Sequence, residues 1–294
     1  MLRFSINITD HGRRTDSFLR NLLPTAPPSY LHQLLKREAV TVNGAPVSPE
    51  RPLRLSDIVD IKESARTKSF LNDDRDGPDF LYEDERIIIF NKRPMLSVHR
   101  SAEHGGVNLV EQGMEAVALR GVAVKLYPVN RLDRGTSGCV IMARSSAHAG
   151  QYGRLFQDGL VEKRYLAVVS GRADKTGVID LPLDDKESRS EYRTLFSGGG
   201  VSILAVTPFT GRSHQIRRHL AAIGSPVMGD LRYGGKRLPG CEGHALHSCA
   251  IAFPDPVSGG KLQIMAPLRE ALAACLGRIL GPDMPAFLDS LNEL

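Results

Sequence analysis

Apolar side chains in the N-terminal part of the chain follow helical spacing first and strand-like alternation afterwards. The capping pair Thr15-Asp16 precedes an apolar stripe that ends at Pro24, and residues 29–37 place leucines on one face of a second predicted helix. Residues 39–42 then alternate as a strand into Asn43-Gly44, a strong hairpin signal, and residues 53–61 alternate again. The pattern therefore predicts a small α+β module.

From residue 80 onward the chain changes to short β-rich runs separated by turns, beginning with the β-branched run 86–90. Further strands are predicted over residues 165–170, 192–196, 202–208, 250–253 and 262–265, and helices over residues 107–119, 148–157, 214–223 and 269–280. Strands outnumber helices and do not alternate regularly with them. We therefore expect an α+β fold with a mixed, largely antiparallel sheet rather than a doubly wound parallel one.

Residues 66–79 carry few large apolar side chains, alternating charges and a Gly-Pro, which is typical of a solvated connector. The predicted division is a small domain over residues 1–64, a linker over 65–79 and a large domain over 80–294. A chain of 294 residues accommodates both domains.

Composition narrows the setting of the protein. The chain is 41% hydrophobic and 24% charged, its apolar stretches are interrupted by charges, and its N-terminus resembles no export signal. We therefore expect no membrane segment and a cytoplasmic protein. Four scattered cysteines do not form a disulfide framework, so we also expect free thiols. A net charge of +5 is a mild bias toward polyanions and identifies no partner by itself.

Two segments concentrate polar residues beyond what packing requires. In the first, Asp133 lies between Arg131 and Arg134 in a Gly/Ser/Thr loop that precedes the apolar run 139–143, as expected for an ionised carboxylate aimed outward. The second segment, residues 210–220, combines a predicted helix with several arginines and histidines. Taken alone, Asp133 could equally be a turn aspartate paired with a neighbouring arginine.

A second cluster of residue types suggests a zinc site. Four potential ligands lie within nine residues, Cys241, His244, His247 and Cys249. Structural zinc sites usually join two well-separated ligand pairs, whereas these ligands crowd onto a turn and one strand. A packed histidine with buried thiols is the preferred interpretation, and no metal is expected.

The motifs in their order resemble those of the RluA family of pseudouridine synthases. The matching stretches are Arg131-Leu132-Asp133 with Thr136-Ser137-Gly138, Lys163-Arg164-Tyr165, Gly211-Arg212-Ser213-His214-Gln215-Ile216-Arg217 with His219-Leu220, Gly229-Asp230 and Leu246-His247-Ser248. Residues 13–61 resemble an S4-like RNA-binding domain, an arrangement found in the branch that modifies ribosomal RNA.

This resemblance implies that the chain isomerises uridine to pseudouridine in RNA without a cofactor. It implies catalytic roles for Asp133 as the essential carboxylate, Arg217 as its basic partner and Tyr165 as the residue that stacks on the base. Arg131 would fill the space left by the flipped nucleotide, and the motif neighbours Ile216, Arg212 and His214 would also contact substrate. In the S4-like module, basic side chains would face RNA phosphates, namely Arg13, Arg14, Arg20, Lys36 and Arg37.

The chain departs from the family pattern at a few positions. Asn130 replaces the usual His before Arg-Leu-Asp, which puts fine geometry or substrate choice in question rather than activity. Met95 follows Asn91-Lys92-Arg93-Pro94 where the family has N-K-P-x-G, Ser56 replaces a Gly of the S4-like pattern, and Asp255 replaces a commoner His.

The expected function is thus a monomeric synthase acting on structured RNA, with large-subunit ribosomal RNA preferred over transfer RNA. Two other classes of function fit parts of the sequence. One is a non-enzymatic RNA-binding or ribosome-assembly factor on the same fold, which the intact set of Asp133, Tyr165 and Arg217 argues against. The other is a hydrolase that uses Asp133 with His214 or His219, which lacks a G-x-S-x-G nucleophile motif.

Overall fold

The computed structural model describes residues 1–71, 77–100 and 106–291. Its N-terminal part is a four-stranded antiparallel sheet in the order β1-β4-β2-β3, packed against two helices. The elements are β1 (Leu2–Ser5), α1 (Thr15–Leu22), α2 (Pro28–Lys36), β2 (Val40–Val42), β3 (Ala45–Pro46) and β4 (Ile58–Ile61). The two helices and the following strands are confirmed. Strand β1 was not predicted, because its four residues are too few to establish a period.

The remaining strands form a ten-stranded sheet, in which β10-β11-β12-β9-β13-β8-β6-β5 is the main path and β7 and β14 pair with β8 and β13. The strands are β5 (Phe80–Glu83), β6 (Ile87–Lys92), β7 (Tyr127–Pro128), β8 (Ser137–Ala143), β9 (Glu162–Ser170), β10 (Thr176–Asp180), β11 (Arg189–Gly198), β12 (Val201–Pro208), β13 (Leu246–Pro254) and β14 (Lys261–Met265). Among the strands of the described residues, β13 and β8 alone pair in parallel. The predicted mixed, largely antiparallel α+β fold is confirmed.

Six further helices complete the described residues: α3 (Ala65–Ser69), α4 (Leu109–Ala118), α5 (Ser146–Gln157), α6 (Gln215–Ala222), α7 (Glu270–Leu280) and α8 (Met284–Leu291). Every residue of β6 and β8 is buried, because α5 packs on one face of these strands and α4 on the other. A strand covered on both faces is mostly apolar, which explains the unbroken apolar run 139–143 in the sequence.

Helices α7 and α8 and the turn between them form an apolar stretch, Glu270–Leu291, with mean hydropathy 1.2 and enough length to cross a membrane. Its apolar side chains, including Leu276 and Phe287, pack with Leu166 and Ile203 of the large sheet in one buried cluster. The stretch is therefore packed as the core helix of a globular domain. The sequence pattern did not predict α8.

Two parts of the predicted connector over residues 65–79 are structured. Helix α3 begins after Ser64, whose hydroxyl caps the Thr67 amide, and Phe70 and Leu71 pack on the N-terminal core. Residues 72–76 of the connector lie outside the described residues. At the far end, the Asp79 carboxylate is 15% exposed and has several partners. Most of α3 is exposed, as expected of a solvated connector, whereas Thr67 and Asp79 are engaged, because local composition does not show which polar side chains find partners.

Two carboxylates on and before β5 collect arginines from both parts of the molecule, and we call this set the junction cluster. Asp79 accepts hydrogen bonds from Arg13 at 2.5 and 3.1 Å and from Arg269 at 2.8 Å. Glu83 lies 3.1 Å from Arg20, and it also pairs with Arg120 at 2.8 Å and Arg144 at 2.5 Å. The two carboxylates are 15% and 10% exposed, and the cluster joins the N-terminal module to the large sheet.

The junction cluster contradicts the prediction that Arg13 and Arg20 contact RNA. Arg13 and Arg20 are 4% and 7% exposed, and their guanidinium groups are committed to Asp79 and Glu83. They hold the N-terminal module against the large sheet and do not face RNA. Arg14 is half-buried and paired with Asp16, whereas Lys36 and Arg37 are exposed at the end of α2 and remain predicted RNA contacts.

Candidate functional site

The Asp133 loop connects β7 to β8 and is closed by a turn in which the Thr136 amide donates to the Asp133 carbonyl at 3.0 Å. Leu132 is buried under the loop with the residues that α4 covers. The neighbouring Arg131 and Arg134 are exposed. Because Leu132 is anchored in the core, the backbone position of Asp133 is fixed. The Asp133 side chain is 27% exposed.

Gly138 allows the loop to approach β13. It has a φ of +114°, and a Cβ there would lie 2.3 Å from the Ser248 carbonyl oxygen, so only glycine fits. The close approach forms the parallel β8–β13 pairing, in which His247 lies opposite Ser137. The Thr136-Ser137-Gly138 motif thus has a structural task, which is to place the Asp133 loop over the centre of the sheet.

Arg217 projects from the first turn of α6. His214, in the left-handed region at φ 53°, starts this helix, and the Gln215 side chain ties its beginning to Thr210, the Arg212 amide and Ser190. Gln215 is itself buried. These bonds fix the start of the helix and therefore the position from which Arg217 projects.

Arg217 connects two carboxylates, and we call Asp133, Arg217 and Asp230 the active-site cluster. Its Nη1 donates to Oδ2 of Asp133 at 2.7 Å. Its Nε and Nη2 donate to the two oxygens of Asp230 at 2.6 and 2.9 Å. Burial alone would lower the pKa of Arg217, but the hydrogen bonds and charges of the two carboxylates raise it, so the guanidinium stays charged.

The second oxygen of Asp133 is uncommitted. Within the described parts of the chain no group donates a hydrogen bond to Oδ1, and the Nε2 atom of His214 lies 3.8 Å from it. His214 is held at its other ring nitrogen by the Tyr233 hydroxyl at 2.9 Å. Burial, with the charges of Arg217 and Arg232, lowers the pKa of His214, so the ring next to Oδ1 is neutral at pH 7.

Tyr165 lies on β9, between Val206 of β12 and Ser248 of β13. Its half-buried ring contacts the two apolar clusters on that face of the sheet. Burial, with a smaller effect of the Asp133 charge, raises the pKa of Tyr165 above its usual range, so the phenol keeps its proton. The structure thus brings Tyr165, Asp133 and Arg217 to one site from three distant segments.

The other predicted substrate contacts have different surroundings. Arg131 is exposed at the rim of the site. Arg212 donates from Nε to the Glu187 carbonyl at 3.0 Å. Ile216 is buried in the apolar cluster that also contacts Tyr165, so it supports the site from below.

Lys92 is a functional candidate that sequence reasoning missed. It is fully buried at the end of β6, and its ammonium donates to the carbonyls of Arg93, Leu96 and Arg134 at 2.8 to 3.1 Å. Burial lowers the pKa of Lys92 to about 7, against an opposing effect of the Asp133 charge. By bonding the Arg134 carbonyl, Lys92 braces the loop directly after Asp133. The available signal was Asn91-Lys92, which agrees with the first two residues of the family's N-K-P-x-G although the residues that follow depart from it.

Asp230 was also missed as a site residue, although it stood at the end of a matched motif. Its role depends on which side chain lies opposite it, and no local pattern contains that information. Despite burial, which by itself raises it, the pKa of Asp230 is lowered by the hydrogen bonds and charge of Arg217. Asp230 therefore brings a buried negative charge to the site.

Three of the four candidate zinc ligands bond other groups, and Cys241 packs against the apolar cluster that contains Leu276 and Phe287. His247 bonds the Ser137 hydroxyl at 2.9 Å and the Ala266 carbonyl at 3.1 Å, and burial lowers its pKa to about 4. His244 lies 3.4 Å from the Thr136 hydroxyl, and the Cys249 thiol contacts the Arg164 carbonyl. Among residues 1–71, 77–100 and 106–291, no group of three His, Cys, Asp or Glu side chains is arranged to hold a metal ion.

The hydrolase alternative finds no support in the histidines. His219 is fully buried, and its two ring nitrogens bond the Ser190 and Ser188 hydroxyls at 3.0 and 2.9 Å. His214 is too far from Asp133 to form a hydrogen-bonded pair with it. Neither histidine is placed to activate a nucleophile together with Asp133.

Comparison with known proteins places this geometry in context. Residues 86–222 match the family model described as RNA pseudouridylate synthase. The chain is 32% identical to the ribosomal large subunit pseudouridine synthase C of Vibrio cholerae, over 91% of this chain and 93% of that protein. The protein of the same name from Escherichia coli is 30% identical over 94% of this chain and 95% of its own length.

Among solved structures, human RNA pseudouridylate synthase domain containing 4 superposes with a TM-score of 0.59 at 22% identity, covering 68% of this chain and 92% of that one. This likeness concerns the fold of the large domain.

Proposed function

The chain belongs to the RNA pseudouridylate synthase family, and from this premise we propose that it isomerises specific uridines of large-subunit ribosomal RNA to pseudouridine. The activity follows from the family. The choice of RNA rests on the two bacterial relatives, which are named for the large ribosomal subunit and align with nearly the whole chain.

The observation that carries the catalytic assignment is the unequal engagement of the two Asp133 oxygens. Oδ2 is held by Arg217 at 2.7 Å, while Oδ1 receives no hydrogen bond from the described residues and is bordered by a neutral histidine. One oxygen thus orients the carboxylate and the other keeps its lone pairs for the substrate. A carboxylate with this division can act as a nucleophile or as a base.

The reaction breaks the N1–C1′ bond of a uridine, turns the base and joins C5 to C1′. The proton on C5 leaves and N1 gains one, so the product is an isomer of the substrate. Oδ1 of Asp133 would either attack the nucleoside or remove the C2′ proton. The anionic cluster would stabilise positive charge that develops at C1′ as the glycosidic bond breaks.

Tyr165 would pack against the displaced base and donate from its hydroxyl. The support is its half-buried ring on the sheet face next to Asp133 and the raised pKa that keeps the phenol protonated. A base inside a helix is out of reach of these groups, so the target nucleotide must be flipped out. Arg131, exposed beside Asp133, is placed to occupy the vacated space.

The enzyme would act as a monomer, since Asp133, Tyr165 and Arg217 all come from one chain. It would act in the cytoplasm. The N-terminal module would contribute phosphate contacts through Lys36 and Arg37. Size-exclusion chromatography with light scattering tests the monomer, and a dimer that persists at nanomolar concentration would contradict it.

The test is pseudouridine mapping of total RNA from cells that lack the gene and from the same cells supplied with wild type or Asp133→Asn. We expect specific large-subunit sites to vanish, to return with wild type and to stay absent with Asp133→Asn. Asp158→Asn, the same change on an exposed residue, serves as the control and should restore modification. Sites that vanish only from transfer RNA would overturn the proposed substrate, and full modification by Asp133→Asn would overturn the mechanism.

A further inference from the structure

Asp230 is the most deeply buried member of the active-site cluster, at 1% exposed. It accepts from Nε and Nη2 of Arg217 at 2.6 and 2.9 Å, a two-point contact along one edge of the guanidinium. A guanidinium offers two such edges, and a carboxylate on either one binds best with both oxygens. Asp230 therefore occupies an edge and fixes the plane in which Arg217 lies.

The consequence for Asp133 is geometric. Asp230 leaves the Nη1–Nη2 edge of the guanidinium open, but the orientation that it imposes brings Nη1 and not Nη2 within hydrogen-bond distance of Asp133, at 2.7 Å. Asp133 then receives one hydrogen bond instead of two. A guanidinium released from Asp230 could turn its Nη1–Nη2 edge toward Asp133 and engage both of its oxygens, including the one the reaction needs.

We infer that Asp230 is a positioning residue for the isomerisation, holding Arg217 by one edge so that Oδ1 of Asp133 stays available to the nucleoside. The inference rests on the proposed function. Asp230 acts through Arg217 and does not itself touch the substrate.

The backbone around Asp230 is constructed to keep it in place. The preceding Gly229 has a φ of +81°, and a Cβ there would lie 2.1 Å from the Gly243 carbonyl oxygen. The Asp230 carbonyl accepts from the amides of Tyr233 and Gly235 at 3.2 and 2.8 Å. Such a tight turn, with no room for a side chain at residue 229, leaves Asp230 little freedom to follow Arg217 if that residue moves.

The same turn also controls the other neighbour of Asp133. Tyr233, three residues after Asp230, bonds the His214 ring at 2.9 Å and lies under the Arg217 guanidinium with 5.0 Å between group and ring centre. One short turn thus sets the position of both side chains that border the Asp133 carboxylate. This is the arrangement expected of a support for a preorganised site.

The experiment measures tritium release from large-subunit ribosomal RNA transcribed with uridine tritiated at C5, because that tritium leaves when C5 bonds to C1′. For Asp230→Asn we expect kcat to fall about 100-fold while KM for the RNA stays within about threefold. The matched control is Asp255→Asn, which breaks another two-point pair, with Arg86 at 2.7 and 2.9 Å, far from Asp133. It should keep the kcat of wild type.

A second variant separates charge from packing. Asp230→Glu keeps the carboxylate but adds a methylene to a tightly packed site, whereas Asp230→Asn keeps the size and loses the charge. If Asp230 positions Arg217, the Glu variant retains more kcat than the Asn variant. If Asp230 only fills space, the order is reversed, and the inference fails.

The remaining outcomes are equally decisive. An Asp230→Asn enzyme with more than about a third of wild-type kcat overturns the inference and leaves the proposed function standing. Absence of tritium release by wild type overturns the proposed function, and with it the inference. Circular dichroism and melting curves of each variant show whether kcat refers to folded enzyme.

Discussion

Two clusters of ion pairs in the molecule differ in the ratio of arginines to carboxylates. In the active-site cluster one arginine, Arg217, is shared by two carboxylates. In the junction cluster the carboxylates are outnumbered, since Glu83 alone meets the guanidinium groups of Arg20, Arg120 and Arg144. Among the described residues, the first arrangement leaves Oδ1 of Asp133 without a hydrogen-bond donor, whereas in the second an arginine nitrogen lies within 3.1 Å of each oxygen of Glu83.

This difference explains why one cluster is reactive and the other structural. A carboxylate surrounded by arginines has both oxygens engaged by donors and offers little to a substrate. A carboxylate that shares its arginine with a second carboxylate keeps one oxygen free to contact a substrate. Both clusters contain buried charged side chains, such as Asp230 and Arg20, so burial of charge alone does not identify a catalytic site. The ratio of donors to acceptors does.

The largest effect should come from removing the shared carboxylate of the junction. Glu83→Gln leaves three buried guanidinium groups without their anion, and we expect a loss of about 3–5 kcal/mol in the free energy of unfolding. Urea denaturation measures it. At low temperature the folded variant should keep the kcat of wild type, because Glu83 belongs to the structural cluster.

A matched surface pair provides the control for that experiment. Glu162 pairs with Lys261 at 2.7 Å, but both side chains are more than half exposed. Glu162→Gln should change stability by less than about 1 kcal/mol. Equal losses in the two variants would contradict the view that Glu83 is essential because its partners are buried.

A smaller, pH-dependent effect is expected at the base of the Asp133 loop. Burial lowers the pKa of His247 to about 4 in the folded protein, from an ordinary value of 6.5. Between these values the unfolded chain binds a proton that the folded chain does not, so stability falls as the pH drops from about 6.5 to about 4. We expect this residue to contribute a loss on the order of 1–3 kcal/mol over that range.

The measurement is the free energy of unfolding as a function of pH for wild type and His247→Asn. The variant should be less stable at pH 7.5, because it gives up the hydrogen bond to Ser137 or to Ala266, yet its stability should fall less on acidification. Parallel curves for the two proteins would contradict the assignment of the acid loss to His247.

The smallest effect concerns the cations that the junction does not use. Lys36 and Arg37 are exposed, whereas Arg13 is committed to Asp79. The double variant Lys36→Gln, Arg37→Gln should weaken binding of large-subunit ribosomal RNA several-fold and reduce the slope of log K against log salt by about 1–2. Arg13→Gln should lower stability and leave the slope unchanged. An unchanged slope in the double variant would place the RNA contact elsewhere.

The sequence was most informative where chemistry depends on residue type within a short motif. Asp133, Tyr165 and Arg217 were named from three segments, and the structure brings all three to one site. The mixed sheet followed from the spacing of apolar residues. The same reasoning failed for Arg13 and Arg20, because a basic residue on a helix looks the same in sequence whether it faces water or a carboxylate from a distant strand.

The patterning of apolar and polar residues by itself determined the α+β class, most helices and strands, and the segments that carry the chemistry. These features depend on periods of two or 3.6 residues and on turn chemistry, which a local stretch of chain contains in full. The tertiary structure alone decided which charges meet: Arg217 with both Asp133 and Asp230, and Glu83 with three arginines. Pairing of buried charges depends on the positions of groups far apart in the chain, since Asp133 and Arg217 are separated by 84 residues. No local pattern specifies how many donors a carboxylate will find there, and that number separates the reactive cluster from the structural one.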